Sequence, residues 1–382
     1  MKYLVLGAGL MGRAVAYDLA HSMGTTEIRL ADIDIKQVNE VIKWINSPLI
    51  NGIKLDVTDY SQVLEAMKDI DSVIGCISYK FNYDISKLAI ESKVNYCDLG
   101  GNNTIVQNQF TLNDKAEAAG ITIIPDCGLA PGVASIIVTA GVEKFESLEE
   151  IHIRVGGLPQ NPKPPLNYSM IFNVQGLTNE YIEIAEVIRD GKITKIDSLT
   201  EIEEIEFSEP FGKLEAFQTS GGTSTLPKTF LGKVNILDYK TIRYKGHCEI
   251  MKAIFDLGFK SEEKVEINEC MISPREFLEK ILVSNLTHDD NKDVTLVRIE
   301  VIGKINDEKK KLTYQIIDYY DEEKNITSMM RMTAFPASII AQMMANGSIK
   351  EKGVITQEFN VPSKLMLEEL RKRNINIEEK IE

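Results

Sequence analysis

Three glycines follow the first short apolar run of the sequence, and an amphipathic stretch begins directly after them. In the segment GAGLMG, the first glycine permits a tight turn and the second lets a pyrophosphate approach the backbone. The third lets a helix pack closely on the preceding strand, so that the helix N-terminus faces the anion. We predict that this segment binds a dinucleotide through Gly7, Gly9, Leu10, Met11 and Gly12. The alternative is that the glycines only shape a sharp turn in an α/β protein.

A carboxylate at the end of the second predicted strand bears on the type of dinucleotide. Asp32 stands where an acidic side chain accepts hydrogen bonds from the adenosine ribose hydroxyls. Its charge would repel a 2′-phosphate, and the next residues, Ile33, Asp34 and Ile35, include no arginine that could bind one. Lys36 is the only nearby residue that favours binding of a 2′-phosphate. We therefore predict NAD rather than NADP as the cofactor.

Further cofactor contacts are expected where the next predicted strands end, because ligands of open α/β sheets bind outside the carboxyl ends of the strands. For each position the alternative is an ordinary capping residue in a loop. In order from the adenine to the nicotinamide, the predicted contacts are Asp56, Val57, Cys76, Ile77, Ser78, Asp98 and Gly100.

Two residues are candidates for moving a proton. Asp126 follows the sixth predicted strand, in a segment with two permissive glycines and a helix start. His247 is one of four histidines, and the other three stand in a helix, a strand and an acidic loop. We predict Asp126 and His247 as catalytic residues, because carboxylates and imidazoles are common general bases. For His247 the alternative is a structural role.

Two later segments carry groups suited to a polar substrate. The segment 219–225 contains hydroxyls and paired glycines and is too polar for a core, and the segment 240–247 gathers several basic side chains in an acidic chain. A guanidinium binds a carboxylate through two parallel hydrogen bonds. We therefore predict Arg243 as the anchor of a substrate carboxylate, with Tyr244, Thr223 and Ser224 as further substrate contacts.

The elements that must position these residues fall into two regions. Up to residue 130, short apolar runs alternate with amphipathic stretches such as 59–67, which predicts a doubly wound parallel sheet of Rossmann type. Farther on, polar and apolar residues alternate in Val294–Gly303 and Lys311–Tyr319, which predicts an antiparallel or mixed sheet with one solvated or helix-covered face. Near the end, Pro336 and Gly347 mark the expected start and stop of a late helix.

Composition excludes several classes of protein. The 382 residues carry a net charge of −14, which disfavours nucleic acid as a partner, and no apolar run reaches the length of a membrane span. Five scattered cysteines suit a reducing cytoplasm and indicate neither a disulfide framework nor a zinc site. We expect a cytoplasmic enzyme with a small-molecule substrate and no metal.

Several blocks of the sequence resemble the saccharopine dehydrogenase superfamily, and within it the L-lysine 6-dehydrogenase family. Besides GAGLMG, they are DLGG at 98–101, PDCGLAPG at 125–132, LEAFQTSGGTSTL at 214–226, YKTIRYKGH at 239–247 and the segment 333–353. The resemblance implies an NAD-binding Rossmann domain over residues 1–130, to which the helix 336–347 returns. It further implies a second, mixed-sheet α/β domain for substrate binding and oligomerisation over residues 131–335, and a cytoplasmic homo-oligomer, dimeric or larger.

The resemblance also implies the reaction, an NAD-dependent oxidative deamination of L-lysine at its ε-amine. The products would be 2-aminoadipate 6-semialdehyde, ammonia and NADH. One alternative is a saccharopine or carboxynorspermidine dehydrogenase, which acts on a secondary amine by the same chemistry. Another is a non-catalytic NAD-binding regulatory protein, because a fold alone does not establish turnover.

Overall fold

A computed structural model describes residues 1–171, 173–288 and 290–382 of the chain. The chain divides into two compact units. We call Met1–Ala140 with Met330–Ile375 the first unit, and Gly141–Met329 with Asn376–Glu382 the second unit. The divisions after Ala140 and after Met329 both lie within helices, and the last seven residues join the second unit as a short strand and its flanks.

Both units contain strands and helices, and the two kinds of element alternate through the first part of the chain. The strands are β1 (Lys2–Leu6), β2 (Glu27–Asp32), β3 (Ile50–Lys54), β4 (Ser72–Gly75), β5 (Asn95–Asp98), β6 (Thr122–Ile124), β7 (Ser147–Pro159), β8 (Ala185–Arg189), β9 (Lys192–Ile196), β10 (Glu203–Phe207), β11 (Gly212–Gln218), β12 (Ile236–Arg243), β13 (Val265–Ile267), β14 (Cys270–Ile272), β15 (Asp293–Ile305), β16 (Glu308–Tyr319), β17 (Gly353–Val354) and β18 (Glu378–Ile381). The helices are α1 (Leu10–Ala20), α2 (Ile35–Ile45), α3 (Tyr60–Ala66), α4 (Asn82–Ser92), α5 (Asn103–Phe110), α6 (Asn113–Ala119), α7 (Val133–Val142), α8 (Val174–Ile182), α9 (Leu226–Phe230), α10 (His247–Ile254), α11 (Pro274–Leu286), α12 (Ser328–Ala345) and α13 (Ser363–Lys372).

The first unit is built on a parallel sheet in the order β17-β6-β5-β4-β1-β2-β3. The central strands are short and apolar because both of their faces are covered: Tyr3–Leu6 is wholly inaccessible to solvent. Leu4 and Leu6 pack with Val73, Tyr96 and Ile123 in one apolar cluster. The order β3-β2-β1-β4-β5-β6 is that of a Rossmann fold, so the predicted doubly wound sheet is confirmed.

The late helix differs from its prediction in where it begins. Pro336 lies inside α12 rather than at its first position. The helix begins at Ser328, because the carboxylate of Asp293 accepts hydrogen bonds from the backbone N–H groups of Ser328 and Met329, at 2.6 and 2.8 Å. Such a cap satisfies donors that a helix N-terminus leaves unpaired, and it was invisible in the sequence because Asp293 is remote along the chain.

The second unit contains a mixed sheet in the order β10-β11-β12-β7-β15-β16-β18, with β8 beside β12 and β9 beside β8. Only β12 and β7 are paired in parallel, and the long strands β15 and β16 form an antiparallel hairpin. The predicted second α/β domain with a mixed sheet is therefore confirmed. Successive side chains of a strand point to opposite faces, which decides which residues of β12 can share a site.

None of the helices in the described parts of the chain is both long enough and apolar enough to cross a membrane. Within the same residues, no group of three or more His, Cys, Asp or Glu side chains could hold a metal ion.

Candidate functional site

The glycine loop between β1 and α1 is held by close backbone packing. Gly7 has a φ of +101°, and a Cβ there would lie 2.4 Å from the carbonyl oxygen of Cys76. A Cβ on Gly12 would lie 1.8 Å from the carbonyl oxygen of Gly7. These two glycines are therefore required by the fold, since a side chain at either position would force the loop apart from α1 or from β4.

Gly9 differs from its neighbours because the fold does not require it. A Cβ on Gly9 would meet no atom of the described residues within 4 Å, and the φ of −67° is accessible to any residue. Gly9 is the N-cap of α1, where no side chain caps the helix, and Leu10 behind it is 52% exposed. Open space above N–H groups that no side chain caps can accommodate a pyrophosphate.

Asp32 holds the glycine loop in place. Its Oδ2 accepts a hydrogen bond of 2.7 Å from the backbone N–H of Ala8, and its Oδ1 accepts one of 2.9 Å from that of Asp34. A carboxylate has about four lone-pair positions, so Asp32 retains acceptors for ribose hydroxyls beside the loop. Its position at the end of β2 is the predicted one.

The other predicted cofactor contacts also lie at the carboxyl edge of the parallel sheet. Asp56 and Val57 follow β3, and the segment 76–78 follows β4. Asp56 accepts hydrogen bonds from the N–H and the hydroxyl of Thr58, and these lower the pKa of its carboxyl group. The structure thus brings these strand ends to the same edge as the glycine loop, because all of the strands are parallel.

Asp98, Gly100 and Asp126 form a compact corner at the end of β5. The buried carboxylate of Asp98 accepts hydrogen bonds from Gln109 Nε2 at 2.7 Å and from the backbone N–H of Gly100 at 2.8 Å. Burial raises the pKa of Asp98 to about 6, against the effect of these hydrogen bonds. We infer that Asp98 shapes the loop around Gly100 rather than touching a ligand itself, because its side chain is fully enclosed.

Asp126 packs directly against Gly100 in this corner. A Cβ on Gly100 would lie 1.8 Å from Asp126 Oδ1, and Gly100 has a φ of +72°. Asp126 itself is buried and has a φ of +61°, which is uncommon for a residue other than glycine. Non-glycine residues are held in this region mainly where the surroundings enforce it, often at functional sites. Asp126, one of the two predicted bases, thus follows β6 at the carboxyl edge of the parallel sheet.

Arg243 is the central feature of the second unit. It is the last residue of β12 and is 3% exposed. Its Nε donates to the hydroxyl of Tyr181 at 3.0 Å and its Nη1 to the carbonyl oxygen of Ile242 at 2.9 Å. The guanidinium also lies over the ring of Tyr168, 4.9 Å from its centre. No carboxylate in the described parts of the chain forms an ion pair with it. Buried charges are normally paired, so this cation is suited to an anionic ligand.

His247 is linked to Arg243 by two hydrogen bonds that meet at the hydroxyl of Tyr181. Its Nδ1 lies 3.0 Å from the carbonyl oxygen of Leu166, which can only accept, so Nδ1 carries the proton. Nε2 then accepts from the hydroxyl of Tyr181, 3.0 Å away. Burial, together with the charge of Arg243, lowers the pKa of His247 to about 3. His247 is therefore neutral and both of its nitrogens are engaged, which favours a positioning role over the predicted role as a base.

A carboxylate that the sequence analysis missed interacts electrostatically with Arg243. Glu180 is a half-buried residue of α8, and its charge acts on Arg243 and on Tyr168, Tyr181 and Tyr239. Its side chain forms no hydrogen bond and no ion pair with any other described residue. Burial raises the pKa of Glu180 to about 7, although Arg243 opposes the rise. The only signal in the sequence was that α8 is an amphipathic helix, which does not show where it packs.

The basic segment 240–247 does not form one cluster. Lys240 points to the other face of the sheet, where its Nζ donates to Glu203 at 2.7 Å, and Lys245 forms an ion pair with Glu204 on the surface. Tyr244 does not share the surroundings of Arg243 either. Its ring packs against an apolar cluster, and its hydroxyl donates to the carbonyl oxygen of Pro159 at 3.0 Å. Alternation along the extended chain separates these residues from Arg243.

The glycine- and hydroxyl-rich segment 219–225 contacts β12, the strand of Arg243, at Thr219 and Gly222. Thr219 forms a buried hydrogen bond of 2.7 Å with Thr241, and a Cβ on Gly222 would lie 2.5 Å from the ring of Tyr239. Thr223 instead donates to the carbonyl oxygen of Glu186 at 2.9 Å, and Ser224 has a φ of +43° in the turn before α9. The predicted contacts Thr223 and Ser224 thus lie in the loop, whereas Thr219 bonds to Thr241, which is two residues from Arg243 and on the same face of β12.

Comparison with known proteins agrees with this geometry. Residues 3–124 match the family model described as the saccharopine dehydrogenase NADP binding domain, and residues 128–375 match that of the saccharopine dehydrogenase C-terminal domain. The apo saccharopine dehydrogenase (L-Glu forming) of Saccharomyces cerevisiae has the same fold, with a TM-score of 0.84 at 20% identity, over 100% of this chain and 99% of that one.

Curated relatives are similar at low identity. The saccharopine dehydrogenase (NADP+, L-glutamate-forming) of Saccharomyces cerevisiae is 25% identical over 75% of this chain, and the mitochondrial α-aminoadipic semialdehyde synthase of Mus musculus is 22% identical over 93%. The matches span only 65% and 45% of the lengths of those proteins. The carboxyaminopropylagmatine dehydrogenase of Synechocystis sp. is 22% identical over 94% of this chain and 92% of its own length.

Proposed function

The chain belongs to the saccharopine dehydrogenase family, and from that premise we propose that it catalyses the NAD-dependent oxidative deamination of L-lysine at the ε-amine. The products are 2-aminoadipate 6-semialdehyde, ammonia and NADH. The observation that carries this proposal is Arg243, a buried cation without an ion-pair partner in the described chain. A single anion receptor of this kind suits a substrate with a single carboxylate.

The first unit supplies the groups that would hold the dinucleotide. The N-terminus of α1 with its open Gly9 suits the pyrophosphate, and Asp32 suits the adenosine ribose. When bound, the nicotinamide supplies the acceptor for the hydride that the substrate carbon loses. A carboxylate at residue 32 and the exposed Ile33 beside it favour NAD over NADP, because neither can bind a 2′-phosphate.

The second unit supplies the receptor for the substrate. Arg243 would bind the α-carboxylate of lysine through its guanidinium, which Tyr181 and the carbonyl of Ile242 hold in one orientation. Charge-assisted hydrogen bonds are strong where water is excluded, so this pair would determine the position of the whole substrate. Thr219 and Thr241 would lie along the aliphatic chain.

A base must remove a proton from the ε-ammonium, since only a neutral amine can lose a hydride from its neighbouring carbon. Of the two predicted bases, Asp126 is the one we retain. His247 has both ring nitrogens engaged, and its low pKa makes it a poor proton acceptor near neutral pH. We further propose that the enzyme acts in the cytoplasm as a homo-oligomer, as the family resemblance implies.

The principal alternative is a dehydrogenase of a secondary amine, such as saccharopine or carboxynorspermidine. The names of the relatives favour it, and one of them acts on carboxyaminopropylagmatine. Saccharopine carries three carboxylates, however, and in the described chain the lysines near Arg243 are occupied by Glu203 and Glu204. A regulatory protein that binds NAD without turnover is the other alternative.

Absorbance at 340 nm tests the proposal directly. The protein is mixed with NAD or NADP and with L-lysine, saccharopine, carboxynorspermidine or carboxyaminopropylagmatine, from pH 7 to pH 10. We expect NADH formation with L-lysine, with release of ammonia and a semialdehyde that cyclises. Turnover of saccharopine to glutamate or lysine without any turnover of L-lysine would overturn the proposal, and no turnover with any amine would favour the regulatory alternative.

A further inference from the structure

The face of the mixed sheet opposite Arg243 carries a network of charged side chains that the proposed function does not use. Ion pairs join side chains of β7, β8, β10 and β12 and of the turn before β10. The permanent cations are Arg154, Arg189 and Lys240, and the carboxylates are Glu150, Glu201, Glu203 and Asp238. Three permanent cations do not balance four carboxylates. The charges of this network match only if His152, which lies among them, is protonated.

His152 contacts a carboxylate with each of its ring nitrogens. His152 of β7 and Asp238 of β12 are paired in register, and Nδ1 lies 2.8 Å from Asp238 Oδ1. Nε2 lies 3.0 Å from Glu150 Oε2. An ionised carboxylate only accepts hydrogen bonds, and a neutral imidazole can donate from one nitrogen alone. Two donated hydrogen bonds therefore require the imidazolium form of His152.

Asp238 is the centre of the network. Besides His152, its Oδ1 accepts a hydrogen bond of 2.7 Å from Arg154 Nη1, and its Oδ2 accepts one of 3.0 Å from Arg189 Nη2. Burial alone would raise the pKa of Asp238, but the hydrogen bond from His152 and the charge of Arg154 hold that pKa well below its usual value. Asp238 thus remains an ionised acceptor throughout the range in which a histidine titrates.

The other charges that face His152 leave Glu150 to it. Glu300 lies opposite His152 on β15, and its carboxylate is 3.4 Å from Nζ of Lys311 on β16. Glu150 forms no ion pair in the described chain except the one with His152. Burial alone would lower the pKa of His152, but Asp238 and the hydrogen bond to Glu150 raise that pKa above its usual value.

We propose that His152 is a pH-sensitive lock between β7 and β12, closed while its imidazolium bridges Asp238 and Glu150 and weakened when the proton is lost in alkaline solution. In the described sheet of the second unit, β7 and β12 are the pair of strands joined in parallel, a pairing that is slightly less stable per residue than the antiparallel one. A neutral ring would turn a lone pair towards one carboxylate. This role does not rest on the proposed function.

The sign of the effect follows from the two states of the chain. The pKa of His152 is higher in the folded chain than the value of about 6.5 in an unfolded one. Between these two values the folded chain binds more protons, so its stability falls as the pH rises. The contribution of His152 is therefore complete below about pH 6.5 and is lost as the pH rises through the raised pKa.

Differential scanning calorimetry of the full chain and nitrogen-15 NMR of its imidazoles, from pH 5.5 to pH 9.5, test the lock. His152→Gln removes the titrating group, and Glu150→Gln removes one of its two acceptors. His21→Gln is the matched control, because Nδ1 of His21 lies 2.8 Å from the backbone carbonyl oxygen of Tyr17 instead of a carboxylate.

We expect the wild type to melt at a higher temperature than His152→Gln below pH 6.5, and this difference to shrink by roughly 2–4 °C as the solution becomes alkaline. The difference between the two chains isolates His152 from other groups that titrate. In the NMR spectra, the imidazolium signal of His152 should persist to a higher pH than that of an unperturbed histidine. In Glu150→Gln it should disappear at a lower pH than in the wild type, whereas His21→Gln should match the wild type in both measurements.

Any of three results would overturn the proposal. The first is a wild-type His152 that titrates at or below the pH of an unperturbed histidine. The second is a melting-temperature difference between the wild type and His152→Gln that stays constant over the whole pH range. The third is a titration of His152 that Glu150→Gln leaves unmoved. If His152→Gln does not fold, the wild-type and Glu150→Gln spectra decide, and none of these outcomes depends on which substrate the enzyme oxidises.

Discussion

Arg243 donates a hydrogen bond from Nε to the hydroxyl oxygen of Tyr181, over 3.0 Å. The hydroxyl can then donate its own proton to His247 Nε2, because Nδ1 of the same ring is committed to the carbonyl of Leu166. The three side chains come from β12, α8 and α10, so packing of these elements determines where the guanidinium points. A receptor held in this way loses little conformational entropy when an anion binds.

Replacement of Arg243 by alanine should weaken substrate binding far more than cofactor binding. The variant loses a charge-assisted pair in a desolvated pocket, which costs on the order of 2–5 kcal/mol. We expect the KM for the amino-acid substrate to rise by at least about 30-fold, with the KM for NAD within a factor of about 2 of the wild type. Steady-state kinetics with each substrate varied in turn measures both values.

Lys240→Gln is the matched control for Arg243→Ala. Lys240 is a buried cation of the same strand, but it pairs with Glu203 on the opposite face. It should change thermal stability and leave the KM for the amino acid unchanged. If Arg243→Ala and Lys240→Gln alter both KM values alike, Arg243 serves the fold of the sheet and not the substrate.

His247 should remain neutral far below the pH at which an exposed histidine titrates. Its pKa of about 3 in the folded chain lies below the usual value, so the unfolded chain binds more protons between these two values. Its contribution to stability is therefore complete above about pH 6.5 and is lost as the pH falls below it, by at most about 1.4 kcal/mol per pH unit.

Nitrogen-15 NMR of the imidazole side chains checks this prediction. The chain has four histidines, and a His247→Gln variant assigns the signal. We expect a neutral ring protonated at Nδ1 from pH 5 to pH 8, and a shallower loss of stability in acid for the variant. An imidazolium signal from His247 at pH 6 would restore its candidacy as the base.

The parallel sheet was predictable because its strands are buried on both faces and therefore consist of short apolar runs. The glycine loop was predictable for a related reason, since Gly7 and Gly12 have steric neighbours that any chain with this turn and helix must have. The choice of Arg243 came from the basic segment 240–247 and from the bidentate geometry of a guanidinium. These predictions depend on local sequence alone.

The pocket around Arg243 was predictable only in part. Alternation along β12 was readable in the sequence, and it would have separated Tyr244 and Lys240 from Arg243 had the segment been assigned as a strand. Glu180 was beyond such reasoning, because its interaction with Arg243 depends on the packing of α8 near β12, a strand remote in the sequence. The neutral state of His247 likewise depends on burial, which local sequence does not show.

Gly9 and Gly12 should respond oppositely to the same substitution. Gly12→Ala places a Cβ 1.8 Å from a backbone carbonyl and should destabilise the chain by several kcal/mol or prevent folding. Gly9→Val adds side-chain atoms to a position whose Cβ has open space, so we expect a folded protein. Its affinity for NAD should fall severely, because the added methyl groups occupy the volume that the pyrophosphate needs.

Thermal unfolding and calorimetric NAD titration separate the two effects. Gly24→Ala is a control outside the loop. Gly24 follows α1 and has a φ of +84°, so alanine there should lower stability without changing the affinity for NAD. Unchanged NAD affinity in a folded Gly9→Val protein would contradict the dinucleotide site.

Asp32 should determine the choice between NAD and NADP. The wild type is expected to prefer NAD, and the double variant Asp32→Ser with Ile33→Arg should shift the ratio of kcat/KM towards NADP, because a negative charge is removed and a guanidinium for the 2′-phosphate is added. The variant also loses the acceptors for the N–H groups of Ala8 and Asp34, so its stability should fall by about 1–3 kcal/mol.

Asp34→Ser is the matched control. Asp34 is the neighbouring carboxylate and caps α2 through the N–H of Lys36, a function that serine also performs. It should leave the cofactor ratio unchanged. The names of the NADP-dependent relatives make this the sharpest test of the cofactor site: a wild-type chain that already prefers NADP would show that Asp32 serves the glycine loop and that another group, with Lys36 the nearest cation, accepts the 2′-phosphate.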